Sequence, residues 1–267
     1  ANSIRRVILS EIPCVVFRTT PYERNDATFE INTTKLNNEI LKQRLSCIPI
    51  HTTLLRDTDQ EKALPGNYSL VLDIANDTDN TIFVTSGDFR LKDTATNTVL
   101  SKEEMDKRFP GLFPMNIKTQ SYIDFARLRA KVSNEISGEA LSLTADFAVS
   151  TAKHSSMYNV VSKCAYGNTQ DTTQSLAAWD AHEAKLRTDG ETDNEIKFQK
   201  KNFNILDAQR HYVPDSFDFV LQTLGIYDNK DLVRKACAVL QNKLIDIIQG
   251  IDAMPIFVSD TTIENCF

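Results

Sequence analysis

A long apolar stripe towards the end of the sequence restricts the fold more than any other feature. Residues 228–249 predict a helix of about 20 residues, with Asp228 as its cap and Gly250 as its stop. The stripe consists of Leu232, Val233, Ala236, Val239, Leu240, Leu244, Ile247 and Ile248. A stripe of this width predicts that the helix packs on a sheet of its own chain, on a partner helix, or on both.

The first 50 residues predict two further helices with a strand between them. Residues 2–12 predict a helix that ends before Pro13, and residues 14–19 predict a strand rich in β-forming side chains. Residues 33–47 predict a second helix, capped by one of the two threonines that open it. The apolar side of the first helix consists of Ile4, Val7, Ile8 and Ile12.

The middle of the chain has a different texture, in which strands predominate. The predicted strands are 68–74, 81–87, 140–150 and, after the middle, 212–226. Residues 173–187 predict a helix, and the polar stretch 187–202 predicts a solvated loop between domains. The apolar loop Arg108–Pro114, RFPGLFP, predicts either a contact site or a loop packed in the core.

This order of elements predicts an α+β fold. Residues 1–50 and 203–252 are expected to form one discontinuous domain, and residues 51–202 an inserted β-rich domain. Residues 253–267 are interpreted as a tail or as the start of a further, fused domain.

Composition excludes several classes of function. The net charge of −6 and the isoelectric point near 5.3 argue against a chain that holds DNA by itself, since that needs a basic surface. The sequence contains neither GxGxxG nor GxxxxGK[ST], so the common nucleotide-binding loops are not expected. No apolar run approaches the ~18 residues of a membrane helix, and we expect no membrane partner.

Metal and cofactor sites are not expected either. The five cysteines are scattered, without a CxxC pair, which predicts reduced thiols in an intracellular protein. The four histidines include no HExxH and no His-x-His pattern, and the closest cluster, around His182 and Glu183, is explained by a polar helix face. We therefore predict no catalytic, cofactor-binding or metal-binding residues, although the members of a dispersed Ser-His-Asp triad cannot be recognised from sequence.

Several blocks resemble the alpha-like, third-largest subunits of multisubunit DNA-directed RNA polymerases. Residues 1–13, ANSIRRVILSEIP, resemble the first-helix signature of that family, in which paired arginines follow an asparagine and precede an apolar run ending in proline. The second-helix pattern of the family is matched by Glu39, Arg44, Leu45, Ile48 and Pro49.

Further blocks follow in the family's order. Residues 214–225 resemble its returning strand, and the helix 228–249 stands where its dimerisation helix would be. Residues 138–161 resemble the segment that ends in a His-Ala-Lys-Trp block, with His154 aligned to its histidine. The resemblance therefore implies an alpha-like dimerisation domain interrupted by an inserted domain.

The resemblance implies a scaffold subunit without chemistry of its own. Its partners would be a smaller alpha-like subunit, with which it forms a heterodimer, and the large catalytic subunits, while DNA would be contacted only indirectly. The implied interface residues are Asn2, Arg5, Arg6, Glu39, Arg44, Leu232, Ala236, Val239, Leu240, Lys243, Leu244 and Ile247. Two alternatives stay open at this point: a hydrolase-type enzyme with dispersed site residues, and an unrelated α+β interaction module.

Two departures from the family pattern are visible. The clustered-cysteine zinc loop of many eukaryotic nuclear members is missing, and the sequence begins at the first helix, where the family has a preceding strand, so it is interpreted as a fragment lacking that strand. The Asn- and Thr-rich texture favours a polymerase of a large DNA virus. The expected location is the nucleus, or a cytoplasmic viral factory or virion.

Overall fold

The computed structural model describes residues 1–52, 64–133, 135 and 137–252. Its combination of helices with antiparallel sheets confirms the predicted α+β class. The helices are α1 (Asn2–Ser10), α2 (Asn38–Ser46), α3 (Lys102–Arg108), α4 (Thr172–Thr188), α5 (Asp193–Ile205) and α6 (Asn229–Asp252). The strands are β1 (Cys14–Phe17), β2 (Ala27–Asn32), β3 (Tyr68–Ala75), β4 (Ile82–Thr85), β5 (Arg90–Asp93), β6 (Asp124–Leu128), β7 (Ala140–Ser150), β8 (Val161–Gln170) and β9 (Tyr212–Thr223).

The chain divides into two compact units. The larger unit consists of residues 6–160 and the chain from residue 223 onwards, and the smaller unit consists of residues 1–5 and 161–222. Each unit has its own sheet and its own helices, and each is described separately.

Strand β7 organises the larger unit. It pairs antiparallel with β1, β2 and β3, and β3 in turn pairs with β5. Alternate side chains of β7 are buried, namely Leu141, Leu143, Ala145 and Phe147, as the period of two in the sequence predicts. Strands β4 and β6 form a separate two-stranded sheet beside this one.

A cluster of phenylalanines joins these sheets through one core. The ring of Phe17 on β1 lies 4.9 Å from that of Phe147 and 6.4 Å from that of Phe113, measured between ring centroids. Phe89 continues the cluster, with its centroid 5.3 Å from Phe113 and 5.6 Å from Phe125 on β6. Edge-on and tilted ring contacts of this kind stabilise a core beyond the area that they bury.

The predicted domain boundary between residues 50 and 51 is therefore not where the structure divides. Phe17 from the first segment and Phe147 from the middle segment belong to the same core, as do Leu41 and Leu45 of α2. The physical reason is that β1 and β2 complete the sheet of β7, a long-range pairing that local sequence patterns do not encode. Residues 203–222 lie in the smaller unit and residues 223–252 in the larger, so the second predicted segment is divided as well.

The apolar loop Arg108–Pro114 is part of this core. Phe109, Leu112 and Phe113 are buried, and the amide of His51 donates a hydrogen bond to the carbonyl of Leu112 at 3.0 Å. Of the two interpretations of RFPGLFP, the packed loop is thus the correct one.

The smaller unit combines the two-stranded sheet β8–β9 with a hairpin of α4 and α5. Trp179 of α4 is buried in this hairpin, 5.4 Å from the ring of Phe203, and its indole N–H donates to Glu183 at 2.8 Å. Residues 187–202 are therefore largely helical, and the predicted solvated loop is wrong. Helix α5 begins with a capping box in which Thr192 and Glu195 satisfy each other's backbone amides.

Two helix ends also differ from the prediction. Helix α2 begins after Asn37, whose side chain accepts a hydrogen bond from the amide of Ile40 at 2.9 Å, and not at the threonines before it. Helix α6 continues through Gly250 to Asp252, because Gly250 is tolerated in an exposed helix and does not enforce a stop. The expectation for residues 253–267 lies outside the described residues.

Close backbone packing fixes the entry into β7. The side-chain amide of buried Asn76 donates to the carbonyls of Asn80 and Leu128, each at 2.9 Å, and so ties the turn after β3 to the end of β6. Gly138 passes so near this turn that a Cβ atom there would lie 2.1 Å from the carbonyl oxygen of Asn76. Only glycine fits this position without movement of the backbone.

We predict that Gly138→Ala destabilises the chain by about 1–3 kcal/mol, because the added methyl group forces two backbone segments apart. Thermal unfolding of the purified protein measures this change. Gly250→Ala is the matched control: a Cβ atom added there would have no neighbour within 4 Å, and the helix should gain about 0.5–1 kcal/mol. Equal melting temperatures for Gly138→Ala and the wild-type chain would contradict the packing described here.

Candidate functional site

The first turns of α6 are anchored in the larger unit. Leu232 and Ala236 are fully buried. Just before the helix, the hydroxyl of Tyr227 donates to the carbonyl of Pro13 at 3.0 Å, and the ammonium of Lys235 lies 4.3 Å from the centre of the Tyr227 ring. Lys243 forms an ion pair with Glu11. These contacts hold the helix against the end of α1.

The turn before α6 is equally well defined. Gly225 has a φ of +94°, a conformation that favours glycine, and its carbonyl lies 2.9 Å from Nδ1 of His51. Burial lowers the pKa of the His51 imidazole. The side-chain hydroxyl of Thr223 donates to the carbonyl of Tyr227 at 2.7 Å and closes the turn.

The second half of α6 is exposed over its whole circumference. Every residue from 241 to 252 is exposed, while Val239 and Leu240 are half-buried. The most exposed of its large apolar side chains are Leu244 61%, Ile247 57%, Ile248 58% and Ile251 60%, and Ile245 is 41% exposed. A helix that carries such a row of large aliphatic side chains in water has an unfilled packing surface. We call Leu244, Ile247, Ile248 and Ile251 the exposed α6 stripe.

The predicted interface set is thus divided by the structure. Leu232 and Ala236 are already buried within the chain, so they are not available to a partner and have to be removed from the set. Leu244 and Ile247 lie in the exposed α6 stripe, Val239 and Leu240 border it, and Lys243 is held by its ion pair with Glu11. Sequence reasoning missed Ile251, although its spacing of three and four residues from Ile248 and Ile247 continues the same face.

The paired arginines of α1 differ in their surroundings. Arg5 is half-buried as a residue, and its guanidinium donates to the side-chain oxygen of Asn2 through Nε at 3.2 Å and Nη2 at 3.0 Å. Arg6 is exposed, and its guanidinium has no hydrogen bond or ion pair with any described residue. Val7 and Ile8, which follow it, are buried. Arg6 is therefore the arginine of this pair whose fork is available to another molecule.

Arg44 has a structural task inside the larger unit. Its Nε donates to the carbonyl of Phe125 and its Nη2 to that of Asp124, each at 2.8 Å, so that it ties α2 to strand β6. Glu39 forms an exposed ion pair with Lys42 one turn further along α2, at 3.1 Å. The assignment of Glu39 and Arg44 to an interface stays a prediction.

The described residues contain no group of three or more His, Cys, Asp or Glu side chains placed to hold a metal ion. The acids around His182 serve the hairpin itself, since Glu183 accepts from Trp179 and pairs with Arg187 at 2.8 Å. The thiol of Cys14 is buried and donates to the carbonyl of Tyr158 at 3.4 Å, and burial raises the pKa of Cys164. No helix within the described ranges is both long enough and apolar enough to cross a membrane.

Comparison with known proteins identifies the family. The family model described as the RNA polymerase Rpb3/Rpb11 dimerisation domain matches residues 1–244, which is most of the chain. No curated protein shows significant similarity to this sequence. With an extended family match over both units, the chain belongs to the Rpb3/Rpb11 dimerisation-domain family and is a non-catalytic assembly subunit of DNA-directed RNA polymerase that dimerises with another polymerase subunit.

Proposed function

We propose that this subunit pairs with a smaller alpha-like subunit through the exposed α6 stripe, and that the pair then recruits the large catalytic subunits. The observation that carries the proposal is the contrast within α6, whose first turns are anchored while its last twelve residues, 241–252, are exposed. A helix that is anchored in its own chain at one end and exposed at the other suits an interface between two chains.

Burial of this stripe contributes part of the free energy that a seam between two chains needs. Each of its four large side chains is 57–61% exposed, and burying a whole side chain of this size contributes about 1.5–3 kcal/mol. Burial of the exposed part contributes about half of that per residue, before the entropic cost of association is subtracted. The natural complement is an apolar helix of the partner, packed ridge into groove.

Arg6 is the proposed contact to a large catalytic subunit. Arg6 is exposed, and its guanidinium has no described partner within the chain. A guanidinium fork binds carboxylates or backbone carbonyls in a subunit interface well, because its five donors lie in one plane. Arg5 supports this position by ordering the start of the helix through Asn2.

The proposed location follows from where the DNA lies. A polymerase subunit acts where DNA is transcribed. The proposed location is therefore the nucleus of a cell or, for a viral enzyme, a cytoplasmic factory or the virion. The net charge of −6 supports only indirect contact with that DNA.

We predict that Ile248→Lys weakens binding of the smaller subunit at least about 10-fold, since it places a charge in an apolar seam. The measurement is sedimentation or calorimetric titration with the subunit that co-purifies with the wild-type chain. Gln249→Lys is the control, because it adds the same charge on the next residue of the same exposed helix, outside the stripe. Equal affinity of the two variants would refute a seam at the stripe, provided that both melt like the wild-type chain.

We further predict that Arg6→Ala leaves folding and pairing intact and weakens recruitment of the large subunits by about 2 kcal/mol or more. Removing this exposed arginine should change the free energy of unfolding by only about 0.5 kcal/mol. Ile8→Ala, at a side chain that is 1% exposed, should instead cost about 2–5 kcal/mol of stability. A pull-down of the large subunits beside thermal melts separates these effects, and normal recruitment by Arg6→Ala would show that the arginine has no part in it.

A further inference from the structure

A basic cleft in the larger unit has no part in the contacts proposed so far. Its volume is about 330 Å³, and its lining includes Arg18, Arg24, Ser150, His154, Ser155 and Tyr158. The segment around it turns tightly, with the amide of His154 bonded to the carbonyl of Thr151 at 3.0 Å and that of Tyr158 to Ser155 at 3.1 Å. We call it the Tyr158 cleft.

The unusual residue in the lining of this cleft is Tyr158. The residue is 3% exposed, and its hydroxyl is shielded from water without a hydrogen-bond partner among the described residues. Buried polar groups are nearly always paired, because an unpaired one loses its bonds to water and gains nothing in return. A ligand atom that accepts a hydrogen bond from this hydroxyl would supply the missing partner.

The charges of the lining indicate an anionic ligand. Arg24 and His154 are exposed, and neither side chain has a described hydrogen bond or ion pair that would hold it in place. Arg18 donates to the carbonyl of Arg24 at 3.1 Å and pairs with Asp26 at 2.9 Å. The described lining includes no carboxylate.

The same charges favour a monoanion. The charge of Arg18 is already offset by Asp26, which leaves Arg24 as the unpaired arginine of the lining. One planar guanidinium matches one carboxylate in two parallel hydrogen bonds, whereas a phosphate dianion usually needs more positive charge. The hydroxyl of Tyr158 then supplies a third hydrogen-bond donor.

We propose that the Tyr158 cleft receives the carboxylate of an aspartate or glutamate side chain from a large catalytic subunit, held by Arg24 and the hydroxyl of Tyr158. This inference rests on the assembly role proposed above and adds a third contact, distinct from the α6 stripe and from Arg6. Because the hydroxyl is shielded from water in the structure, side chains of the cleft have to move before the carboxylate can reach it.

The first test uses acetate as the probe on the purified full chain with its co-purifying partner. Melting temperatures are compared in sodium acetate, sodium chloride and sodium phosphate at equal ionic strength. Acetate should raise the melting temperature above that in chloride, because a ligand that binds only the folded state stabilises it. Arg24→Gln and Tyr158→Phe should abolish this increment, and Lys153→Gln, which removes a neighbouring exposed charge outside the lining, should keep it.

Tyr158→Phe also tests whether the hydroxyl of Tyr158 is unpaired in the folded chain. In chloride this variant should melt no lower than the wild-type chain, because it removes a hydroxyl without a described partner. A lower melting temperature there would overturn the proposal, as would equal melting in acetate and chloride or an increment that survives in Arg24→Gln. A larger increment in phosphate than in acetate would overturn the assignment of a carboxylate.

The second test reverses the charge of Arg24 and measures which polymerase subunits are recovered with the chain. Arg24→Glu should retain the smaller subunit, which binds at α6, and should recover fewer large subunits than Lys153→Glu does. The seam at α6 is tested separately, by loss of the smaller subunit from the Ile248→Lys variant. Either proposal can therefore fail while the other holds. Recovery of the large subunits by Arg24→Glu at the level of Lys153→Glu would overturn the docking of a carboxylate in this cleft.

Discussion

The pairing of β7 with strands from distant parts of the chain is the interaction on which the larger unit depends. One strand of eleven residues aligns β1, β2 and β3, and its Phe147 meets Phe17 across the sheet. That pairing fixes the end of α1 through β1, and Pro13, between them, accepts the hydrogen bond of Tyr227 that positions α6. The exposed α6 stripe is therefore presented by a rigid core rather than by a loop.

The apolar stripe of helix α6 has a buried part and an exposed part. Leu232 and Ala236 are buried in the interior of the chain, whereas residues 241–252 are exposed. The ion pair of Lys243 with Glu11 lies at the junction of the two halves. The family match shows that this subunit dimerises with another polymerase subunit, and we propose that the exposed half of α6 provides the contact.

Periodicity in the sequence predicted the elements with strong local signals. The alternation from Leu141 to Phe147 identified β7, and the stripe from Leu232 to Ile248 identified α6. Helix α5 was missed because its apolar residues are few, although the capping box of Thr192 and Glu195 was a visible signal. The domain boundary failed for another reason: the contact of Phe17 with Phe147 joins residues 130 positions apart along the chain, and no local pattern encodes it. For the site, the sequence singled out Arg6 and the α6 face as candidate contacts, which stay predictions. It did not reveal that Leu232 and Ala236 are buried or that Arg44 ties α2 to β6.

Hydrogen–deuterium exchange along α6, in the isolated chain and in the co-purified dimer, tests the central claim most directly. Exposed helix turns with few tertiary contacts open readily, whereas packed turns exchange slowly. The account predicts that residues 241–252 exchange fast in the isolated chain and become protected in the dimer, while the anchored residues 229–238 are protected in both. Equal exchange of residues 241–252 in the two states would contradict the assignment of this helix as the dimer seam.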